Sequence, residues 1–256
     1  MAQDTEKELQ QLKNRFHDLA RRSYAQGIFT FTGFLGLGEQ DAFWREEPNL
    51  RYAGCTLYGG CEGADRVALR FGSPEELGYD TPFPIVCLHI RPLQQRFADE
   101  LSHRDFLGAL MNLGIDRSTI GDIQVGEKQA YLFCLDTIAE FICENLKQIK
   151  HTHVTCSVAE DFQEIPREEP ETLCIQVQSL RVDAVLSRIY NISREKSLEL
   201  FRAGRVYVNG RLCENNSRTL KAGETVNARG FGKFILKDGV RETRKGKLAL
   251  EAEVYR

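Results

Sequence analysis

The sequence predicts an α+β protein: a helical N-terminal segment, a ferredoxin-like β-α-β-β-α-β middle domain, and a small C-terminal domain whose helices precede its strands. Three observations carry the prediction. Apolar residues recur at helical spacing at the start of the chain. Strand-like and helical runs alternate between residues 83 and 159. Two amphipathic helices beyond residue 180 then give way to short alternating runs divided by glycine-bearing turns. The expected boundaries are 1–80 for the N-terminal subdomain, 81–160 for the middle domain, 161–175 for a linker and 176–256 for the C-terminal domain.

In the opening stretch KELQQLKNRFHDLARRSYAQ, residues Leu9, Leu12, Phe16 and Leu19 make one apolar stripe, which predicts an amphipathic helix. Residues 51 to 73 change period, and RYAGCTLYGG and DRVALRFG read as a hairpin turned by GGCEG. The middle domain follows in the order PIVCLHIRP, HRDFLGALMNLG, GDIQVGE, QAYLFCLD, TIAEFICENLKQI, HTHVTCSV, with Asp136 or Thr137 expected to cap its second helix. AEDFQEIPREEPET is acidic, carries Pro166 and Pro170 and lacks apolar periodicity, as a linker does. Beyond it Val182, Val185, Leu186 and Ile189 mark one helix. Ser193 is the expected cap of a second helix, whose buried side is given by Leu198, Leu200 and Phe201. Gly204 fits a left-handed helix stop, and Asn209-Gly210 a type I′ turn after RVYV.

Charge divides the chain. Lys and Arg total 34 against 37 Asp and Glu, yet residues 180–256 hold 17 cations against 9 anions, a balance of +8 that leaves −11 for the rest. Such asymmetry points to a polyanion meeting the C-terminal domain. Arg194, Lys196, Arg202 and Arg205 fall outside the apolar stripe around one helix start and the turn after it, with Arg181 and Arg211 extending the patch. A helix start offers unpaired N–H groups and a positive dipole end, and guanidinium groups bind phosphate in pairs of hydrogen bonds. The competing reading of such a run is a solvated face without a ligand.

The run LRVDAVLSRIYNISREKSLELFRAGRVYVNGRL and the later AGETVNARGFGKF resemble the alpha-L RNA-binding domain named after the fourth small-subunit ribosomal protein. The resemblance implies Arg181, Ser193, Arg194, Lys196, Arg202 and Arg205 as the main RNA contacts, with Asn209, Arg211, Arg229 and Lys233 completing the set. Glu224 stands where that family more often has Asp. Nearly the whole chain is similar to the bacterial YlmH-like proteins, with FTGFLGLGEQDAF and IGDIQVGEKQAYLFCLDTIAEFICENLKQI as signatures. That likeness implies a peripheral ribosome-associated protein that contacts rRNA and tRNA on the large subunit during rescue of stalled translation, and a link to cell division. The family's usual Arg after Glu39 is Gln40 here, so no RNA-binding role is carried onto that loop.

Other chemistry is set aside on spacing. GFLGLG does not have the spacing of a dinucleotide loop, and neither Cys55 with Cys61 nor His151 with His153 forms a metal-binding pattern. The rival class is an RNA-modifying enzyme, because pseudouridine synthases, some RNA methyltransferases and tyrosyl-tRNA synthetases resemble this chain in their RNA-binding domain. Their catalytic loops are not in the sequence. Tyr131 and Phe133 could stack RNA bases on the middle sheet, but core packing is the preferred expectation, with the first 165 residues serving as a positioning or protein-binding module. Eight scattered cysteines read as reduced, mostly buried thiols. MAQDTEKELQ has no secretion-signal layout, and no apolar run is long enough to span a bilayer. The expectation is a cytoplasmic, non-catalytic monomer with no cofactor, no metal and no membrane contact.

Overall fold

The computed structural model describes residues 2–159, 170–243 and 246–255. The chain forms two units, residues 1–167 and 168–256.

In the first unit the N-terminal stripe becomes helix α1 (Ala2–Gln26). Phe16 is fully buried and packs edge-on against Phe43 of α2 (Leu37–Leu50), whereas Leu9 stays 39% exposed. Between these helices runs strand β1 (Thr30–Leu35), which pairs antiparallel with β3 (Val67–Phe71) of the expected hairpin; β2 (Cys55–Tyr58) is its other strand. The single turn α3 (Pro74–Leu77) follows, capped by Ser73.

The middle segment supplies β4 (Ile85–Pro92), α4 (His103–Asn112), β5 (Ile120–Gly126), β6 (Gln129–Leu135), α5 (Asp136–Asn145), β7 (Gln148–Ile149) and β8 (Thr152–Val158). The sheet order is β5-β6-β4-β8-β7 and neighbouring strands are antiparallel. Each helical crossover skips one strand, β4 to β5 over β6 and β6 to β8 over β4, which is the split β-α-β arrangement. The cap position of α5 is Leu135 rather than Asp136 or Thr137, and no side chain caps it; Asp136 instead opens the helix, where its charge meets the positive dipole end.

Phe106, Leu110, Ala139 and Ile142 of the two helices cover one sheet face, packing on Leu88, Ile90 and Leu132. On the other face Phe133 and Cys87 pack against Phe34 of β1. The close approach requires Gly121, where an added Cβ would sit 2.6 Å from the Phe34 ring. Phe133 is therefore core, and Tyr131 stacks on His89 with ring centroids 4.6 Å apart.

A polar latch joins the two layers. Arg66 Nε donates to the Ile120 carbonyl at 2.9 Å, and its Nη2 donates to the Phe34 and Arg117 carbonyls at 2.9 and 3.1 Å. The backbone N–H groups of Asp65 and Arg66 both donate to the Asp122 carboxylate. Arg117 lies beside Arg66, and burial together with that like charge pushes its pKa down to about 10. All eight cysteines are free thiols; Cys87, Cys134, Cys156 and Cys213 are buried, Cys55, Cys61 and Cys143 half-buried, and Cys174 exposed.

The second unit begins with β9 (Glu171–Val177), then α6 (Val182–Ile189), α7 (Arg194–Arg202), β10 (Val206–Val208), β11 (Arg211–Leu212), β12 (Thr225–Ala228), β13 (Gly232–Leu236), β14 (Arg241–Glu242) and β15 (Leu248–Tyr255). The sheet runs β11-β10-β12-β13-β15-β14, and β9 also pairs with β15. Of the segment read as linker, residues 160–169 lie outside the described residues. Residues 171–175 belong to β9, whose inward Leu173, Ile175 and Val177 join the core despite the acidic flank. That core is Val182, Val185, Leu186 and Ile189 from α6 with Leu200 and Phe201 from α7, set against Val206, Val208, Val226 and Phe234. Leu198 is only half-buried, and Ser197 takes the inward place because its hydroxyl donates to the Asp183 carbonyl at 3.1 Å.

Arg66→Ala should destabilise the first unit by roughly 2–4 kcal/mol, since it leaves the Ile120, Phe34 and Arg117 carbonyls short of donors. Urea unfolding followed by Trp44 fluorescence measures this, and an unchanged midpoint would show that the latch contributes nothing.

Candidate nucleic-acid interface

The site is organised by a carboxylate that the sequence reading did not single out. Asp183, in the first turn of α6, is fully buried, and its carboxylate accepts from Arg181 Nε at 3.1 Å, Arg181 Nη2 at 2.7 Å and Asn216 Nδ2 at 2.9 Å. Arg194 Nη2, from the first turn of α7, stands 3.9 Å away. With the Ser197 bond to the Asp183 carbonyl, the N-terminal turns of both helices meet at one residue. The loop after β11 closes the arrangement, because the Val182 and Asp183 N–H groups donate to the Arg218 and Asn216 carbonyls. Burial pushes the Asp183 pKa up, but the Arg181 and Asn216 hydrogen bonds outweigh it and hold the pKa below its ordinary 3.8. The same pairing raises the Arg181 pKa.

Arg181 is thus pinned through one edge of its guanidinium, with its side chain 34% exposed. The Arg194 side chain is 70% exposed. Ser193 caps α7 as expected, its hydroxyl accepting from the Lys196 N–H at 3.1 Å. The Lys196 ammonium pairs with Glu199 at 2.9 Å, and Arg202 is exposed in the last turn of α7. Arg181, Ser193 and Arg194 are therefore one group.

Gly204, with φ +62°, ends α7 through the left-handed region and delivers Arg205 to the start of β10. Arg205 Nη2 donates to the Arg229 carbonyl at 2.6 Å, and the Arg229 guanidinium lies 4.9 Å above the Tyr207 ring. These two cations form a second group at the ends of β10 and β12. Asn209 and Gly210 both have positive φ, as a type I′ turn requires, and Asn209 Oδ1 accepts from the Thr225 N–H. Arg211 is exposed beyond that turn, and Lys233 lies over the Tyr255 ring on β13. Glu224 accepts from the Lys221 N–H and from Arg218, so the carboxylate at this position shapes the loop. Gln40 is likewise internal, its amide donating to the Leu35 and Asp65 carbonyls.

Asp183, Ser197, Asn216 and Tyr207 are the members that sequence reasoning missed. The Arg-x-Asp start was visible, but charged residues are seldom fully buried, and nothing local to the sequence says that this one is. Among the described residues no group of His, Cys, Asp and Glu side chains is arranged to hold a metal ion, and no helix is long and apolar enough to cross a membrane.

Residues 180–226 match the S4 domain, and residues 80–163 match a family described as a putative RNA-binding domain in YlmH. Fold and match together define an RNA-binding protein with a C-terminal S4 domain. Over 202 residues the chain is 31% identical to the ribosome-associated protein quality control protein P2 of Bacillus subtilis (strain 168), covering 76% of this chain and 75% of that protein; the chain belongs to this YlmH-like family. It is also similar to a solved cell division protein ylmH from Streptococcus pneumoniae, at 19% identity and a TM-score of 0.48, over 62% of this chain and 95% of that one.

Asp183→Ala should cost the second unit about 3 kcal/mol, because it strands Arg181 and Asn216 at a buried position. With its folded pKa depressed, Asp183 contributes stability fully above pH 3.8 and loses it as pH falls below that value. Protection of the α6 amides from hydrogen exchange, taken relative to their intrinsic exchange at each pH, should therefore fall on acidification in the wild type and show a weaker pH dependence in Asp183→Asn.

Proposed function

We propose that the chain is a non-catalytic RNA-binding protein of the ribosome, contacting large-subunit rRNA and tRNA and acting in quality control of stalled translation. One observation carries the RNA contact: two helix N-termini converge at Asp183, with the pinned Arg181 and the exposed Arg194 beside them. Asp183 holds the Nε edge of Arg181, so the opposite edge is presented outward in a fixed direction. The two dipole ends add positive potential at the same place, and a phosphate group fits that chemistry.

Arg202, Arg205, Arg211 and Arg229 extend the cationic path along α7 and the strand ends. Contacts of this kind read the shape and backbone of structured RNA rather than base edges, as suits folded rRNA and tRNA. The name of the Bacillus subtilis relative supports the ribosome and the quality-control role, and the +8 balance of residues 180–256 supports the polyanion. In this reading the chain binds without turnover and acts as a cytoplasmic monomer. Installation of a modified nucleotide in rRNA by the purified protein would refute the non-catalytic reading, and failure to sediment with large subunits would refute the ribosomal one.

Arg194 and Arg202, both exposed, give the direct test of the interface. Their joint change to Ala should weaken binding to large-subunit rRNA and flatten the dependence of log affinity on log salt by up to about two units. Stability should move by no more than roughly 0.5 kcal/mol, as for other surface changes. Filter binding across a salt series, with thermal unfolding in parallel, measures both.

A further inference from the structure

We propose that a groove on the helical face of the first unit, between α4 and the turn from α5 into β7, is a second RNA-binding surface that takes a sugar-phosphate backbone. The proposal rests on the RNA-binding reading above and concerns residues far in sequence from the S4 domain.

The groove encloses about 630 Å³. Its lining includes Gly108 and Ala109 of α4 together with Arg104, Lys147 and Lys150. Residues 81–159 hold seven Lys and Arg in all, so three of the seven gather at this one groove. The one carboxylate in the lining, Asp105, is already engaged by Lys150 at 2.8 Å and by the Ser102 N–H and hydroxyl, which hold its pKa at about 2. The lining therefore keeps a positive excess in a chain whose residues outside 180–256 are acidic overall. Asn145 and Gln148 turn their amide nitrogens to the Phe141 and Lys150 carbonyls, which leaves amide oxygens as acceptors for ribose hydroxyls.

Three residues here are not the types that their backbone positions favour. Gly108 is an exposed glycine within α4, where glycine is among the least favourable residues. An added Cβ would meet nothing within 4 Å and the backbone is not left-handed, so neither packing nor φ requires glycine. Arg104 occupies the first turn of α4, where the helix dipole disfavours a cation. Lys150 sits at φ +50°, a conformation cheaper for glycine or asparagine. Local inconsistency concentrated at one place is a mark of function. The missing side chain at Gly108 permits close approach of another backbone, and cations in the same lining suit phosphates. The groove lies within residues 80–163, the part matched to a putative RNA-binding domain, which favours RNA over a protein as the occupant.

The test uses the full chain, purified large-subunit rRNA and filter binding over a salt series. Arg104→Ala with Lys147→Ala should weaken binding about five- to tenfold and lower the salt slope by about two. Gly108→Leu should weaken it by a similar factor with every charge retained, while its thermal midpoint stays level or rises because a helix-favouring residue replaces glycine. Wild-type affinity in both variants, beside a weakened Arg194→Ala/Arg202→Ala variant, overturns this surface and leaves the S4 interface standing. Loss in the cation variant alone means that the cations act through their field without a bound backbone, and also overturns it. If the groove variants keep wild-type affinity for naked rRNA but no longer sediment with large subunits, the occupant is a protein and the proposal is wrong. Failure of the wild type to bind rRNA overturns the RNA-binding reading and this surface together.

Discussion

The second unit depends on one buried charge. A carboxylate removed from water is tolerable only when its oxygens are occupied, and Asp183 meets that condition with Arg181 and Asn216. Satisfying it fixes much else. Asn216 must come from the loop after β11, which ties the turn region to α6, and Ser197 must face inward to reach the Asp183 carbonyl. The same bonds set the direction of Arg181 and bring Arg194 near it. A single acidic residue therefore links the hydrophobic core, the meeting of two helices and the aim of the cations.

The first unit has a different constraint. Its middle sheet is sandwiched, with Phe106, Leu110, Ala139 and Ile142 on one face and Phe34 of β1 on the other. Arg66 and Asp122 hold the N-terminal layer down on that second face through backbone groups, where a register error would leave several of them unsatisfied. Covering that face at Phe133 takes away the stacking platform that such a sheet could otherwise offer to bases. On the helical side of this segment the cations Arg104, Lys147 and Lys150 gather at one groove.

The interface joins rigid and adjustable parts. Arg181, Arg205 and Arg229 are each held by a carboxylate, a backbone carbonyl or an aromatic ring. Arg194 and Arg202 reach into solvent. Pinned guanidiniums lose little freedom on meeting a phosphate, which favours a defined RNA shape. The exposed pair adds charge neutralisation with looser geometry.

The sequence by itself determined the elements whose cause is local. The apolar stripe at Val182, Val185, Leu186 and Ile189, the Ser193 cap, the Gly204 stop and the Asn209-Gly210 turn follow from spacing and backbone preference, which need no distant partner. The charge division and the S4 pattern were legible for the same reason, being properties of composition and order. Tertiary structure decided what depends on residues far apart in the chain. Residues 171–175 are a strand only because β15 lies beside them, and Phe133 is core only because Phe34 covers it. Asp183 is an organising centre only because Asn216, 33 positions away, closes over it. Burial is set by what folds back on a residue, so a charge that reads as surface in the sequence became the fixed point of the site.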